Sequence, residues 1–320
     1  MNRMEDESEG MSMAQQAGLS PAGKPGKRKR MPLKRQEAMT GWLFISPALL
    51  GFLVFTAFSM LYSLYISFTD WNILSDPHYV GFQNYVNLFT RDVFFGEYLW
   101  NTFYYVLCLV PSVLVISLFF AILLNQSGKR FLALFRASLF LPCVISTVAI
   151  AQVWKWLLNS QSGTINGILR SLGVDNPPQW LLDRRWAKLS IVFMRIWQMS
   201  GYYMVMFLTG LQTIPASLYE ASRVDGASRW QQLIHITIPM LSPTTFAIVI
   251  LLVLEAFNIF EAVMIMTEGS LGTSSLMYYV YRLAFSSYRM GYASALAWIL
   301  FLMILVFTVL RFCLKKDETM

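Results

Sequence analysis

The chain is 320 residues long, 56% hydrophobic and only 13% charged, with a mean hydropathy of +0.50. So few charges cannot cover the surface of a water-soluble domain of this length, which places the sequence in the membrane class. The net charge of +7 would suit nucleic acid, but the basic residues gather in an N-terminal tail and between apolar runs, where anionic lipid headgroups answer them better.

Residues 1–40 read as a tail. Glu5, Asp6, Glu7 and Glu9 make its first half acidic, and Lys24-Pro25-Gly26-Lys27-Arg28-Lys29-Arg30 makes its second half basic. Low hydrophobicity with Gly and Pro predicts disorder there. The apolar run that follows is too long for a signal-peptide core and shows no small-residue cleavage site, so it reads as an uncleaved first span. Apolar runs then recur at about Trp42–Phe68, Tyr98–Leu124, Ala137–Leu158, Ala187–Leu211, Thr244–Met266 and Tyr292–Cys313. Each reaches the roughly 20 residues that a helix needs to cross the hydrocarbon core. Six transmembrane helices are therefore expected, in an all-α integral membrane protein. Pro47, Pro111 and Pro142 lie in or near the starts of spans, where neighbours can satisfy the carbonyls they free. Trp71, Trp100, Trp154, Trp156, Trp180 and Trp186 sit near span ends, as an aromatic belt does.

Loop charges set the orientation. With the N-terminus inside, the inner side holds the tail cluster, Lys129, Arg130, Arg136, Arg223, Arg229, Arg311, Lys315 and Lys316. The outer side holds Arg91, Arg170, Arg184, Arg185, Lys188, Arg282 and Arg289. The excess is inside, so both termini are expected in the cytoplasm, although Arg184, Arg185 and Lys188 pull the other way.

The stretch Leu211 to Leu241, between the fourth and fifth runs, is polar and charged. Glu220, Arg223, Asp225, Arg229 and His235 are interleaved with Leu218, Ala221, Val224 and Ala227 at three-residue steps, the pattern of a short amphipathic helix. Pro215 opens it, Gly226 allows a bend or a close approach, and Pro239 and Pro243 close it. Two short helices joined near Gly226 to Arg229 are expected. On pattern alone this is also what an ordinary interfacial helix looks like.

The spacing Glu220-Ala221-Ser222, three residues, Gly226, nine residues, Ile236-x-Ile238-Pro239 resembles the EAA loop of ABC-importer permeases, with Ser222 for Ala and Ile238 for Leu. The flanking Gly210-Leu211-Gln212-x-Ile214-Pro215 and Tyr219 resemble its sugar-importer, maltose-type branch. Further similar stretches are Ser67–Asn72, Val80–Tyr85, Phe140–Pro142, Trp154–Trp156, Gly163–Asn166, Gln179–Leu181, Tyr281–Phe285 and Gly291–Ala295, so the resemblance covers about Trp42 to Cys313. Thr267-Glu268-Gly269-Ser270-Leu271-Gly272 departs from the Thr-Gly-Gly-x-Pro pattern common there, and the outer loop after the fifth span is expected to differ.

The resemblance implies a type I ABC importer permease fold over residues 41–313, with a cytoplasmic coupling helix-turn-helix at 213–240 between the fourth and fifth spans and a cytoplasmic tail at 314–320. It implies that Glu220, Ala221, Ser222, Arg223, Asp225, Gly226 and Arg229 couple the chain to an ATPase, with Glu220 pairing a basic residue of the partner or of its own loop. The bland reading of Glu220 is a helix-start charge that complements the dipole. The implied partners are a second permease, two ATP-binding cassette ATPase subunits, an extracellular or periplasmic sugar-binding protein, a saccharide (an oligosaccharide by this branch) and membrane lipids. The implied location is the bacterial cytoplasmic (inner) membrane.

No GxxxxGK[ST] phosphate loop, HExxH, GxSxG or Cys/His cluster occurs, and His78 and His235 are isolated. The three cysteines, Cys108, Cys143 and Cys313, lie in or beside apolar runs without metal-ligand spacing. No catalysis, cofactor or metal is expected, and the energy is expected from a separate ATPase.

Charges inside the spans form the second signal. Arg195 in the fourth run and Glu255 and Glu261 in the fifth are costly at depth, about 2.5–3.5 kcal/mol each on insertion scales. With Gln198 and Tyr202 beside Arg195, and Asn258 midway between the two glutamates, they mix hydrogen-bonding groups with a flat ring, which suits a saccharide pathway. Two readings of Arg195 stay open: a neutralising pair with Glu255, or an unpaired cation facing a cavity, which would suit an acidic saccharide. A second class of function is also open. A secondary active transporter on an ion gradient would work alone, but such proteins tend to show internal repeats, and none is evident between Trp42–Leu158 and Ala187–Cys313.

Overall fold

The computed structural model describes residues 33–125 and 130–318. Most of the expected tail, with its basic run, and Lys129 lie outside them. The chain forms two compact units, Met1–Ser59 and Met60–Met320. In the described part of the first, α1 (Leu33–Gly51) leads into a π-helical turn, Phe52–Ala57. Among the described residues four helices are long and apolar enough to cross a membrane: Thr40–Ser67, Val93–Leu124, Arg184–Gln212 and Met290–Cys313. Two further candidates are bent pairs, so the count reaches six if each pair is one span.

The second unit begins within α2 (Phe58–Ser67) and continues through a two-residue hairpin pairing, β1 (Thr69–Asp70) with β2 (His78–Tyr79), to α3 (Gln83–Thr90). The long α4 (Val93–Leu124) is started by Asp92, whose Oδ1 accepts from the Phe94 and Phe95 amides at 2.9 and 3.1 Å, satisfying two of the donors that a helix start leaves open. Its partner is α8 (Arg184–Gln212). The two run side by side in the same direction. Arg184 meets Glu97 near their starts, Ser117 Oγ donates to the Ser200 carbonyl midway at 2.9 Å, and their last turns flank one groove. The final helix, α15 (Met290–Glu318), also starts at the Asp92 end, where the Tyr292 hydroxyl donates to Asp92 Oδ2.

Two expected spans are not continuous helices, which corrects the reading of Ala137–Leu158 and Thr244–Met266 as simple rods. The third run is split into α5 (Arg130–Val144) and α6 (Thr147–Leu157), bent by 99°. Ile145 and Ser146 leave the helical path there, and Ser146 adopts the extended backbone of a residue that starts a new helix. The fifth run stops as α12 (Ser242–Phe257) and resumes as α13 (Glu261–Thr267). In the break both the backbone amide and the side chain of Asn258 turn back to the Leu254 carbonyl, at 3.2 and 2.8 Å, and close the last turn. The two later halves, α6 and α13, pack on each other. Non-helical backbone at membrane depth is tolerated where protein or a cavity surrounds it.

The core has two clusters. One joins Tyr105, Leu109, Met194, Phe257, Val263 and Leu296, and the other joins Val113, Tyr203, Phe207, Ile248 and Leu252. Gly201 lets α8 lie against α5, since a Cβ there would sit 1.8 Å from the Leu139 carbonyl oxygen. Apolar side chains on the outer faces, such as Leu107, Val115 and Phe119 of α4, are exposed, as lipid-facing positions should be.

Candidate functional site

The two helix breaks and the unbroken α8 enclose a polar cavity of about 440 Å³. All six residues singled out from the charges in the spans line it: Arg195, Gln198 and Tyr202 from α8, and Glu255, Asn258 and Glu261 from either side of the fifth-run break. Cys143, Thr147, Met199 and Tyr203 complete the wall.

Arg195 lines the cavity as the partner of Glu255, which supports the neutralising pair and not the unpaired cation. One terminal nitrogen lies 3.3 Å from Glu255 Oε2, and the other donates to Gln198 Oε1 at 2.7 Å and reaches Thr147 Oγ1 at 3.5 Å. Gln198 Nε2 in turn donates to Thr147 Oγ1 at 3.1 Å. The Tyr203 hydroxyl donates to Glu255 Oε1 at 3.3 Å. The Arg195 side chain is 12% exposed and that of Glu255 is 45% exposed, and Arg195 Nε is buried without a hydrogen-bond partner. This network ties α8 to the start of α6 and the end of α12. Thr147 and Tyr203 were missed in the sequence because a threonine or tyrosine in an apolar run looks ordinary. The available signal was Ser146-Thr147 in the middle of the third run, which is a helix-start pair.

At the end shared by the last turns of α4 and α8, the chain makes the expected pair of short helices. α9 (Ala216–Val224) follows Pro215, and α10 (Arg229–Gln232) runs through a π-helical turn, Leu233–Thr237, into α11 (Ile238–Met240). Ser228 starts α10 with a reciprocal capping box to Gln231. Gly226 has φ +80° with nothing within 4 Å of a Cβ, so it serves the bend and not a close approach. The Tyr219 hydroxyl meets Thr237 Oγ1 at 2.9 Å, and Gln232 Nε2 donates to Ser222 Oγ at 3.0 Å, so the two helices brace each other.

No residue of α9 is buried, and Glu220, Ala221, Arg223 and Asp225 are exposed. Glu220 is the fifth residue of the helix and no acidic residue lies in the first turn, which overturns its reading as a helix-start charge. Among the described residues no ion pair within 4.0 Å includes Glu220, so the expected basic partner is not in its own loop. Val224 is 88% exposed and Trp230 68% exposed, an apolar tip and flank that the sequence reading did not single out. Arg229 and Trp230 line a groove of about 490 Å³ with Ile122, Asn125 and Leu211 at the ends of α4 and α8.

At the opposite end, the segment from Thr267 to Ser275 is folded inward. Thr273, Ser274 and Ser275 are fully buried. Their carbonyls and neighbouring amides bond to α4: Asn101 Nδ2 to the Ser274 carbonyl at 2.9 Å, Tyr105 to the Thr273 carbonyl at 2.8 Å, and the Leu276 amide to Thr102 Oγ1 at 2.9 Å. Glu268, Gly269, Leu271 and Gly272 take positive φ. Below it, α14 (Leu276–Tyr281) presents Tyr279, whose hydroxyl donates to Asp92 Oδ2 at 2.8 Å. Burial, reinforced by that bond, pushes the Tyr279 pKa up and keeps it a donor.

Apolar helices enclosing a charged cavity at two broken spans, with a solvent-facing amphipathic helix pair at one end, define a multi-pass membrane transport component. Residues 90–316 match the family described as "Binding-protein-dependent transport system inner membrane component". The chain is 36% identical over 283 residues to the Bacillus subtilis (strain 168) protein named "Probable ABC transporter permease protein YesP", covering 87% of this chain and 91% of that one. It is 34% identical over 296 residues to "Lactose transport system permease protein LacF" of Rhizobium radiobacter, covering 90% and 98%. Among solved structures it matches, with a TM-score of 0.80 and 22% identity, a chain of a bacterial ABC transporter involved in the import of the acidic polysaccharide alginate, over 90% of this chain and 99% of that one; the likeness is one of fold. The chain belongs to the binding-protein-dependent inner-membrane component family, the permeases of ABC transporters.

Proposed function

We propose that this chain is the permease subunit of an ATP-driven importer that passes a saccharide, an oligosaccharide in particular, from an extracellular binding protein into the cytoplasm. A second permease completes the pathway and two separate ATPase subunits supply the energy, this chain having no ATPase site of its own. Family membership and the lactose transport named for a relative at 34% identity support the saccharide class. The cavity supports it chemically. Carboxylates and amide oxygens accept hydrogen bonds, amide and guanidinium nitrogens donate them, and the exposed Tyr202 ring offers a flat face.

One observation carries the coupling role: α9 is an amphipathic helix with no buried residue and an 88% exposed valine at its end. Such a helix gains its stability from a covering partner. In this reading Val224 and the small Ala221 enter a groove of the ATPase, Glu220 meets a basic residue there, and Ser222 with Gln232 transmits the push to α10 and α12. Arg223, Asp225, Gly226 and Arg229 shape the same element. The loop then lies in the cytoplasm with both termini.

Glu220→Ala and Gly226→Val are expected to leave membrane insertion intact while uptake falls and ATP hydrolysis continues in the purified complex. Normal uptake in both variants overturns the coupling role. In a cysteine-free background, Val224→Cys is expected to react with a membrane-impermeant thiol reagent only in inside-out vesicles; reaction in right-side-out vesicles would reverse the orientation.

A further inference from the structure

We propose that the cavity between the two helix breaks selects against anionic saccharides and that Glu261 sets this selection; the inference rests on the saccharide reading above. The formally charged side chains of the lining are one guanidinium and two carboxylates, a formal charge of minus one. Position matters more than the tally. Arg195 is 12% exposed and both its terminal nitrogens are engaged, by Gln198 and Thr147 on one side and by Glu255 on the other. Its remaining nitrogen, Nε, is buried. The cation therefore stands behind its partners. Glu255 is 45% exposed and Glu261 is exposed with no ion pair within 4.0 Å among the described residues.

The carboxylates are thus the more exposed charges of the lining and the guanidinium the least exposed. Ionised carboxylates are acceptors only. Sugar hydroxyls, or a protonated amine on an amino sugar, can donate to them. The carboxylate of a uronate, or a sulfonate, cannot, and it meets like charge there. To recruit Arg195, an anion would have to displace Glu255 and leave that carboxylate without its counter-ion. The start of α6 at Thr147 adds some positive potential, but its hydroxyl is already bonded to Gln198 and within reach of Arg195. Glu261 makes no contact ion pair among the described residues, so removing its charge leaves the Arg195–Glu255 pair in place and the wall formally neutral.

The test uses the complete importer, purified in detergent without its binding protein, so that only the permease selects. Saturation-transfer NMR titrations compare matched probes: neutral trisaccharides of glucose, galactose and xylose, each beside the same sugar carrying one terminal uronate. Where a neutral probe binds, its uronate partner is expected to bind at least about tenfold more weakly at low salt, with the gap narrowing as salt is raised. Glu261→Gln is expected to bring the two members of a pair together, whereas Glu268→Gln, outside the cavity, leaves their ratio as it was. A uronate that binds wild-type importer as tightly as its neutral partner overturns the inference, and so does an unchanged ratio in Glu261→Gln. If that variant does not assemble, the wild-type pairs and their salt dependence decide alone. If no probe of either kind binds, the saccharide reading of the cavity falls, and this inference falls with it.

Discussion

The segments at the two ends of the broken fifth run are held in opposite ways. Thr267 to Ser275 is built mostly from short polar residues, three of them fully buried; its carbonyls at Thr273 and Ser274 accept from Tyr105 and Asn101 of α4, and the adjoining Leu276 amide donates to Thr102. The α9–α10 pair is also polar, yet α9 buries nothing and is braced mainly by two side-chain contacts, Tyr219 to Thr237 and Ser222 to Gln232. One end is finished within the chain. The other leaves an apolar tip uncovered, as an element does when its remaining contacts belong to another polypeptide. The proposed coupling role gives this contrast a mechanical logic: a frame fixed within the chain, against which a lightly held lever pushes.

Mutations can break this contrast, and the largest effect is expected in the frame. In Gly291→Val a Cβ would lie 1.9 Å from the Thr69 carbonyl oxygen, a backbone atom that cannot swing aside. Overpacking of this kind is expected to cost about 3 kcal/mol or more and to remove most assembled protein from the membrane. Gly96→Ala, with nothing within 4 Å, serves as the control and is expected to be neutral or to stabilise α4 by about 0.5–1 kcal/mol. Next comes Thr102→Val, which keeps shape but strands the buried Leu276 amide, at about 1–3 kcal/mol. Thermal unfolding of the purified complex reads both. Uptake and ATP hydrolysis should fall together, since the frame carries no coupling of its own.

In the lever the expected effects separate. Val224→Asp is expected to leave unfolding stability within about 0.5 kcal/mol, because the side chain touches little of its own chain. Recovery of the ATPase subunits on the tagged permease should nevertheless drop, because a charge replaces an apolar anchor in the proposed groove. If Val224→Asp instead lowered the melting temperature as far as Thr102→Val does, α9 would be packed within the permease and the contrast would be wrong.

Much of this was legible in the sequence, for reasons that differ by region. Runs of apolar residues report where helices can lie in lipid, so α4, α8 and α15 each contain an expected run, with α4 starting five residues earlier and α15 ending five residues later than the run itself. Charge at depth is costly, so Arg195, Glu255 and Glu261 stand out, and the structure gathers them around one cavity. Apart from the helix-start pair Ser146-Thr147, the breaks leave no mark in the sequence. Ile145-Ser146 and Asn258-Ile259-Phe260 contain neither proline nor glycine, and the broken backbone is tolerated through partners distant in the chain, such as Gln198 reaching the Ile145 carbonyl and Ser275 reaching the Ile259 carbonyl. Periodicity carries no record of such partners. Thr267-Glu268-Gly269-Ser270-Leu271-Gly272 could be marked as unusual, but its inward fold depends on α4 side chains some 170 residues earlier. The exposed Val224 was hidden because a valine in a three-residue repeat looks like a buried one.

The smallest expected effect concerns the ion pair at the rim of the frame. Lys155 Nζ lies 3.4 Å from Glu268 Oε1, with side chains 39% and 78% exposed. A single long contact between two exposed, flexible side chains gains little Coulomb energy in water and loses rotamer freedom, so Lys155→Ala is expected to cost about 0–1 kcal/mol. Glu268 holds a left-handed backbone, φ 52°, but that conformation is fixed from the other side by the Tyr278 hydroxyl on its carbonyl at 2.8 Å. Losing Lys155 should therefore not release the loop. Hydrogen exchange at the Leu276 amide reads this directly: protection should persist in Lys155→Ala and disappear in Thr102→Val. Loss of protection in both would mean that charge, and not the buried hydrogen bonds to α4, fixes this end of the chain.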